Sequence, residues 1–222
     1  MFKFAYYFLQ TMEIDLSEKQ IEILKSAEEI FSNKGVDATS VRDIAKLAGI
    51  NIAMISYYFG SKQKLVESLF VWRLYTLNQE LRETVNNTSL NPYEKLIQFL
   101  NTYMARIMKF HAFHRIMVRE YSKNDSFIYI DQEIHKLKMS NLEFINQNIE
   151  EGYNQKMFLR KVPAEAIVMS IIGPISYIIL NDKTYMPLWN VDNHQEYQEN
   201  IINKYYPYLL DSLKAILQYN EK

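Results

Sequence analysis

The stretch TSVRDIAKLAGINIAMISYYFGSK, residues 39–62, decides the fold. Ser40-Val41-Arg42-Asp43 reads as a capping box: the serine oxygen takes the backbone N–H of the third helical residue, and the acid reaches back to the serine N–H. Ile44, Ala45 and Ala48 then share one apolar face, and Gly49 closes a helix of about two turns. Ala45 is small enough to let a second helix come close, and Gly49 accepts a left-handed turn at little steric cost. Asn51 caps that second helix, which runs to Phe59 and stops at Gly60. Ile44, Ile50 and Ile55 are spaced to fill the small core between the two. Segment 41–59 therefore predicts a helix-turn-helix.

Upstream, Ser17-Glu18-Lys19-Gln20 is a second capping box, and Leu16 and Ile21 are placed to staple it hydrophobically. Ile21, Leu24, Ala27, Ile30 and Phe31 follow helical spacing, the acids of Glu18–Glu29 make a solvated face, and Gly35 ends the helix as a left-handed cap. Downstream, Ser61 caps a long helix, with neither Gly nor Pro from Lys62 to Asn86. Asn91-Pro92 opens a helix to about His111, and a short one follows to Tyr121. Residues 122–126 read as a loop and 127–151 as a long helix ended by Gly152. Pro163 starts an Ile-rich helix, 164–180. Residues 181–193 read as a loop holding Pro187 and Trp189, and 194–219 as a helix kinked or broken at Pro207. The expected fold is all-α, with about nine helices: an N-terminal extension at 1–16, a three-helix head at 17–62 and a helical domain at 63–222.

Composition narrows the function. The chain has 222 residues, 48% of them hydrophobic, with 5 Gly, 5 Pro and no Cys. So few chain breakers exclude a β-sandwich or a linker protein. The lack of Cys excludes a disulfide framework, a cysteine zinc site and a thiol nucleophile, and it suits a cytoplasmic protein. No Gly-rich phosphate loop, nucleophile elbow or metal-ligand set is present, so an enzyme is not expected and no cofactor is called for. His111 and His114 have helical spacing but lack a third ligand, and they read as ordinary helix residues. No run of 18 apolar residues suggests a membrane span. Residues 1–11, MFKFAYYFLQT, look like the front of a signal peptide, but the apolar run is short and no small-residue cleavage site follows. They read instead as an extension, with Met12 an alternative start.

Net charge is −1, yet residues 39–64 carry Arg42, Lys46, Lys62 and Lys64 against Asp43 alone. A helix of about nine residues fits a major groove roughly 12 Å wide. On it, Asn51, Ile52, Ala53, Met54, Tyr57 and Tyr58 face outward or sideways. Tyr57, Tyr58 and Lys62 are donors suited to phosphates, and Arg42 to a phosphate or a base. Ile52 and Met54 suit thymine methyls. The local excess of cations is modest, so useful affinity calls for two copies on one DNA.

These residues resemble the DNA-binding domain of TetR-type transcriptional regulators: Thr39 through Asn51, then Ile55-Ser56-Tyr57-Tyr58-Phe59-Gly60-Ser61-Lys62 and Leu65. The resemblance covers about residues 17–65. It departs from the family at Ser56, where Tyr is frequent, and at Tyr58, where His is frequent. It implies phosphate contacts from Thr39, Ser40, Tyr57, Tyr58 and Lys62, and base contacts from Asn51, Ile52, Ala53 and Met54. It further implies a homodimer built through the last two helices, and an all-α domain that binds a small effector. A small apolar or aromatic effector fits the Met- and aromatic-rich middle region, and the expected pocket takes Phe99, Tyr103, Ile107, Met108, Phe113, Met117 and Tyr177, although most of these must also serve as core. The leading reading is a repressor released from a pseudo-palindromic operator by that effector. A ligand-independent activator or nucleoid-associated regulator is the nearest alternative, and a helical protein-interaction module the next.

Overall fold

The computed structural model describes residues 16–85, 89–121, 123 and 128–220. All but the last residue of the expected extension at 1–16, the choice between Met1 and Met12, and all but residue 123 of the expected loop at 122–126 lie outside these residues. Among the described residues the protein is all-α, with ten helices. They are α1 Glu18–Lys34, α2 Val41–Leu47, α3 Ile52–Phe59, α4 Lys62–Val85, α5 Pro92–Lys109, α6 His111–Tyr121, α7 Ile128–Asn154, α8 Ala164–Leu180, α9 Asp182–Leu188 and α10, which runs over 194–217.

The helices start where local chemistry tells them to. Ser17 accepts the Gln20 N–H while its own N–H donates to Gln20 Oε1 at 3.0 Å. Ser40 and Asp43 form the same reciprocal pair. Asn91, expected to cap the helix ahead of Pro92, forms a third with Glu94, with Asn91 N–H to Glu94 Oε2 at 2.8 Å and Glu94 N–H to Asn91 Oδ1 at 3.0 Å. Each such cap satisfies helix-end donors that would otherwise need water.

The chain packs as two units, 1–80 with 110–138, and 81–109 with 139–222. This packing boundary differs from the expected division at 62/63, for two reasons. The first turns of α4 supply Leu65, Val66, Leu69, Phe70 and Leu74 to the core of the first unit. And α6 adds Phe113 and Ile116 to that core. Phe113 meets Phe70 edge-on, with ring centroids 5.1 Å apart. The remaining core residues are Ile23, Leu24, Ala27, Phe31, Val36, Ile44, Ala45, Ile55 and Phe59. Inside the same unit, Arg73 Nε donates to Glu28 Oε2 at 2.6 Å, both side chains nearly out of solvent.

The second unit is built on α5, the end of α7, and α8 to α10. Phe99, Leu100, Met104, Phe144, Ile149, Ile167, Ile171, Ile175, Ile201, Leu209 and Leu213 belong to its core. Tyr206 Oη donates to Asn101 Oδ1 and Tyr197 Oη to the Ile178 carbonyl, both at 2.8 Å. Residues 181–193, expected as a loop, contain α9 instead. Pro187 sits in its last turn, where it ends the helix without preventing it. Of the two expectations at Pro207, a kink or a break, the break is absent: the helix continues, with a π-helical turn, Ile201–Tyr205, just before the proline. In α8 the turn Val168–Ile172 precedes Pro174 in the same way. A widened turn accommodates a residue that has no N–H and whose ring crowds the carbonyl four residues back.

Gly152 does not end its helix either. It lies inside α7, and the Phe158 ring occupies the place a β-carbon would take. The chain reverses two residues after the helix, at Lys156, φ +59°, and the N–H groups of Met157 and Phe158 return to the Gly152 carbonyl. Replacing Gly152 with Ala forces the buried Phe158 ring to shift. It should lower unfolding free energy by about 1–3 kcal/mol in urea melts.

His114 on α6 is buried in the first unit, and burial holds its imidazole down to about pKa 4. It is neutral when folded, whereas the unfolded chain takes up a proton near its ordinary value of 6.5. The stability this neutrality confers is therefore complete above pH 6.5, and it is lost as pH falls towards 4. The loss is on the order of 3 kcal/mol. Urea melts at pH 7 and pH 4.5 should show this fall in the native chain and a shallower one in His114→Gln.

Candidate nucleic-acid interface

The turn between α2 and α3 closes through two backbone bonds, Gly49 N–H to the Lys46 carbonyl at 3.3 Å and Ile50 N–H to the Ala45 carbonyl at 3.0 Å. This double return satisfies the last carbonyls of α2, and it needs a positive φ at its centre, which Gly49 supplies at +63°. A β-carbon there would meet nothing within 4 Å, so the backbone angle, not space, calls for glycine. Gly35 and Gly60 also have positive φ, +84° and +77°, but neither has the ψ of the left-handed helix. The expected left-handed cap at Gly35 is instead a wider bend, reached only because glycine lacks a β-carbon.

With this corner fixed, Ile44, Ala45, Ile55 and Phe59 are buried and the opposite side of the helix pair faces solvent. Arg42, Asn51 and Ala53 are exposed, Ile52 is 40% exposed, and Met54 is half-buried. Asn51 Oδ1 accepts the Ala53 N–H at 2.9 Å, which leaves the side-chain NH₂ as the group offered outward, a donor for base or phosphate acceptors. Tyr57 is 82% exposed. Its ring meets that of Tyr58 edge-on at 5.1 Å, and Tyr58 rests on the core of the first unit. The adjacent tyrosines thus divide their roles: one projects and the other braces it.

The remaining expected contacts are less uniform. Lys62 Nζ lies 3.4 Å from the Asp37 carbonyl, an interaction that a phosphate can replace. Ser40 is exposed, but its hydroxyl donates to Asp43 Oδ2 at 2.7 Å. Hydrogen bonds from the Ser40 N–H, then from its hydroxyl, hold the Asp43 carboxyl below its ordinary pKa. Thr39 leaves the set. It is 1% exposed, and its hydroxyl donates to the Gly35 carbonyl at 2.7 Å, stitching the bend before α2.

Asp37 and Lys123 also bear on this surface, and no local sequence pattern signals their pairing. Lys123 Nζ donates to Asp37 Oδ2 at 2.6 Å and to both Glu120 oxygens at 2.8 and 2.9 Å. It links the far end of α6 to the loop whose carbonyl meets Lys62. The residues are 86 apart in the chain, beyond any local pattern.

The seven residues expected to line an effector pocket are not brought together as one lining. Phe99, Ile107 and Met108 are buried in the second unit, where Tyr103 packs beside Phe99. Tyr103 carries a hydrogen bond to Ser176, and burial raises its pKa. Tyr177 is 57% exposed and meets Tyr185 edge-on. Phe113 and Met117 belong instead to the first unit, because α6 packs there. Among the described residues no group of three or more His, Asp or Glu is arranged to hold a metal. No single described helix is long and apolar enough to cross a membrane; α8 and α9 pass such a test only together, across an 84° bend.

The family model described as bacterial regulatory proteins, tetR family, matches residues 23–69. The HTH-type transcriptional repressor KstR2 of Mycobacterium tuberculosis is 30% identical over 141 residues, 62% of this chain and 70% of that protein. The chain belongs to the tetR family. Solved structures agree on the fold. The fatty acid degradation regulator FadR from Bacillus halodurans superposes with a TM-score of 0.67 at 19% identity, over 90% of this chain and 99% of that one. FadR from Bacillus subtilis, in complex with stearoyl-CoA, gives 0.58 at 19% identity, over 89% and 95%. As a member of the tetR family the protein is a DNA-binding transcriptional regulator and not an enzyme. Regulators of this family bind DNA and small ligands, and act as dimers.

If the exposed face described above meets DNA, Lys62→Ala should weaken binding evenly across sequences and lower the log–log salt slope by about 1. Thr39→Val, a buried change, should leave that slope unchanged. Fluorescence anisotropy across a salt series measures both.

Proposed function

We propose that the protein is a dimeric repressor that leaves a pseudo-palindromic operator when a small effector binds. The observation that carries this reading is the exposed set on the helix-turn-helix, Arg42, Asn51, Ile52, Ala53 and Tyr57, joined by the half-buried Met54 and, at the far end of the recognition helix α3, the half-buried Tyr58 and Lys62. Exposed donors at both ends of a short helix suit phosphates on either side of a groove, while the apolar residues between them suit thymine methyls. In this proposal residues 17–62 read DNA, and 63–222 bind effector and dimerise. In this proposal the protein acts in the cytoplasm, on double-stranded DNA.

The dimer interface we infer uses α8 and α10. Met169 and Tyr177 on α8 are 73% and 57% exposed, and Tyr208 on α10 is 69% exposed. Apolar side chains this open on two core helices favour burial against a second copy. For the effector, we infer a molecule with a substantial apolar part, held in the second unit near Phe99, Tyr103, Ile107 and Met108. Stearoyl-CoA, the ligand of the Bacillus subtilis FadR complex, is a first probe.

Selection of bound sites from random DNA with the purified protein tests the reading. The expected result is two inverted half-sites, centres about 34–36 Å apart or a multiple of that, with affinity that falls steeply between about 50 and 200 mM salt. Repeating the selection with stearoyl-CoA, and with an uncharged polycyclic aromatic, should weaken retention for one of them. Absence of an enriched motif, or a flat salt response, overturns the DNA-reading part. A single unpaired half-site overturns the dimer.

A further inference from the structure

A groove of about 350 Å³ opens in the first unit where the start of α1, the end of α3 and one face of α4 meet. Its walls include Leu16, Tyr58, Phe59 and Val71, and its rim carries Lys64 and Glu67. It holds space for a pair of aromatic rings, not for a further helix. Leu16 is both a wall of the groove and the point where the described chain begins, so the residues before it leave from the groove itself. Those residues include the run Phe4-Ala5-Tyr6-Tyr7-Phe8-Leu9, the apolar stretch that the helix-turn-helix reading leaves without a role.

We propose that this run is the groove's occupant, anchored by Phe4 and Phe8. The two residues are four apart, a spacing that puts side chains on a common face of a helix and also of an extended strand. The link from Phe8 to Leu16 spans at most about 3.3–3.6 Å per residue, ample to double back into a groove that starts at Leu16. Charge agrees with this placement. In the sequence Glu13 and Asp15 stand just before Leu16 and Lys3 just before the run, so the segment carries charges opposite in sign to Lys64 and Glu67 on the rim. An occupant seated here covers one flank of Tyr58, the residue that braces the projecting Tyr57, and so bears on the recognition helix from behind.

The chain has no cysteine, so engineered pairs report without background. Ser68 also lines the groove, and Ser68→Cys is a small change there. It should be combined with Phe4→Cys, Tyr6→Cys, Phe8→Cys or Thr11→Cys in the full-length protein and oxidised. As a control, Lys25→Cys, exposed on α1, the helix that Leu16 leads into, takes the place of Ser68→Cys. Circular dichroism melts confirm that each variant is folded. The expected result is an intrachain disulfide that forms at least tenfold faster between Ser68→Cys and a position in the run than between Lys25→Cys and the same position. Equal rates for the two overturn the proposal, as does failure to form the bond. Disulfide-linked dimers in place of intrachain bonds overturn it in favour of a second copy in the groove.

Discussion

The Glu28–Arg73 pair is the constraint on which the first unit depends. A carboxylate and a guanidinium stand 2.6 Å apart, with side chains only 8% and 11% exposed. Taking either charge out of water alone is costly, so each requires the other. The guanidinium also lies 4.1 Å from the Trp72 ring centre and 4.3 Å from that of Phe110, where aromatic faces attract a cation. A greasy contact tolerates sliding, whereas this one admits a single register of α1 on α4. Because α4 follows directly from the recognition helix through Gly60 and Ser61, fixing α4 against α1 also fixes the frame in which α3 is presented.

Electrostatics at the surface follow a different logic. The chain is nearly neutral, and its small excess of cations lies at the helix-turn-helix. Asp43, the acid within that stretch, is turned to the helix cap by its bonds with Ser40, and Asp37 is turned towards Lys123, which holds its carboxyl below the ordinary pKa. Both acids are thereby directed away from the role of repelling phosphate. Long-range attraction still falls off within a Debye length of about 8 Å at physiological salt, so contact chemistry and pairing of copies matter more than net charge.

What the sequence disclosed was local. The caps at Ser17, Ser40 and Asn51 and the turn at Gly49 are settled within three or four residues, and each was readable with its function. Thr39 misled because its hydroxyl is a donor of the right type, while the carbonyl that claims it belongs to Gly35 in a bend whose shape no spacing rule supplies. Gly152 misled because glycine near the end of a helical pattern usually stops it. Here it makes room for Phe158, a ring whose direction depends on a reversal at Lys156. Phe113 and Met117 are apolar residues at helical spacing like their neighbours on α5. Only tertiary packing against α4 assigns them to the first unit and takes them from the expected effector lining. The groove at Leu16, likewise, exists only once three helices have met.

The π-helical turns in α8 and α10 show a local defect serving a longer pattern. In a regular α-helix four residues overshoot one turn by about 40°, so side chains at Met169, Gly173 and Tyr177 would drift around the helix. A turn that bonds i to i+5 rotates less per residue and takes back much of that drift. With the turn Val168–Ile172 in place, these three positions stay open to solvent together while Ile167, Ile171, Ile175 and Ile178 stay buried. The proline that follows each widened turn gives the reason for its position: Pro174 and Pro207 lack the donor that a regular turn would use, and the wider turn comes immediately before each. Proline, usually read as a helix breaker, here goes with a change of pitch that keeps an exposed stripe straight on a helix otherwise committed to the core.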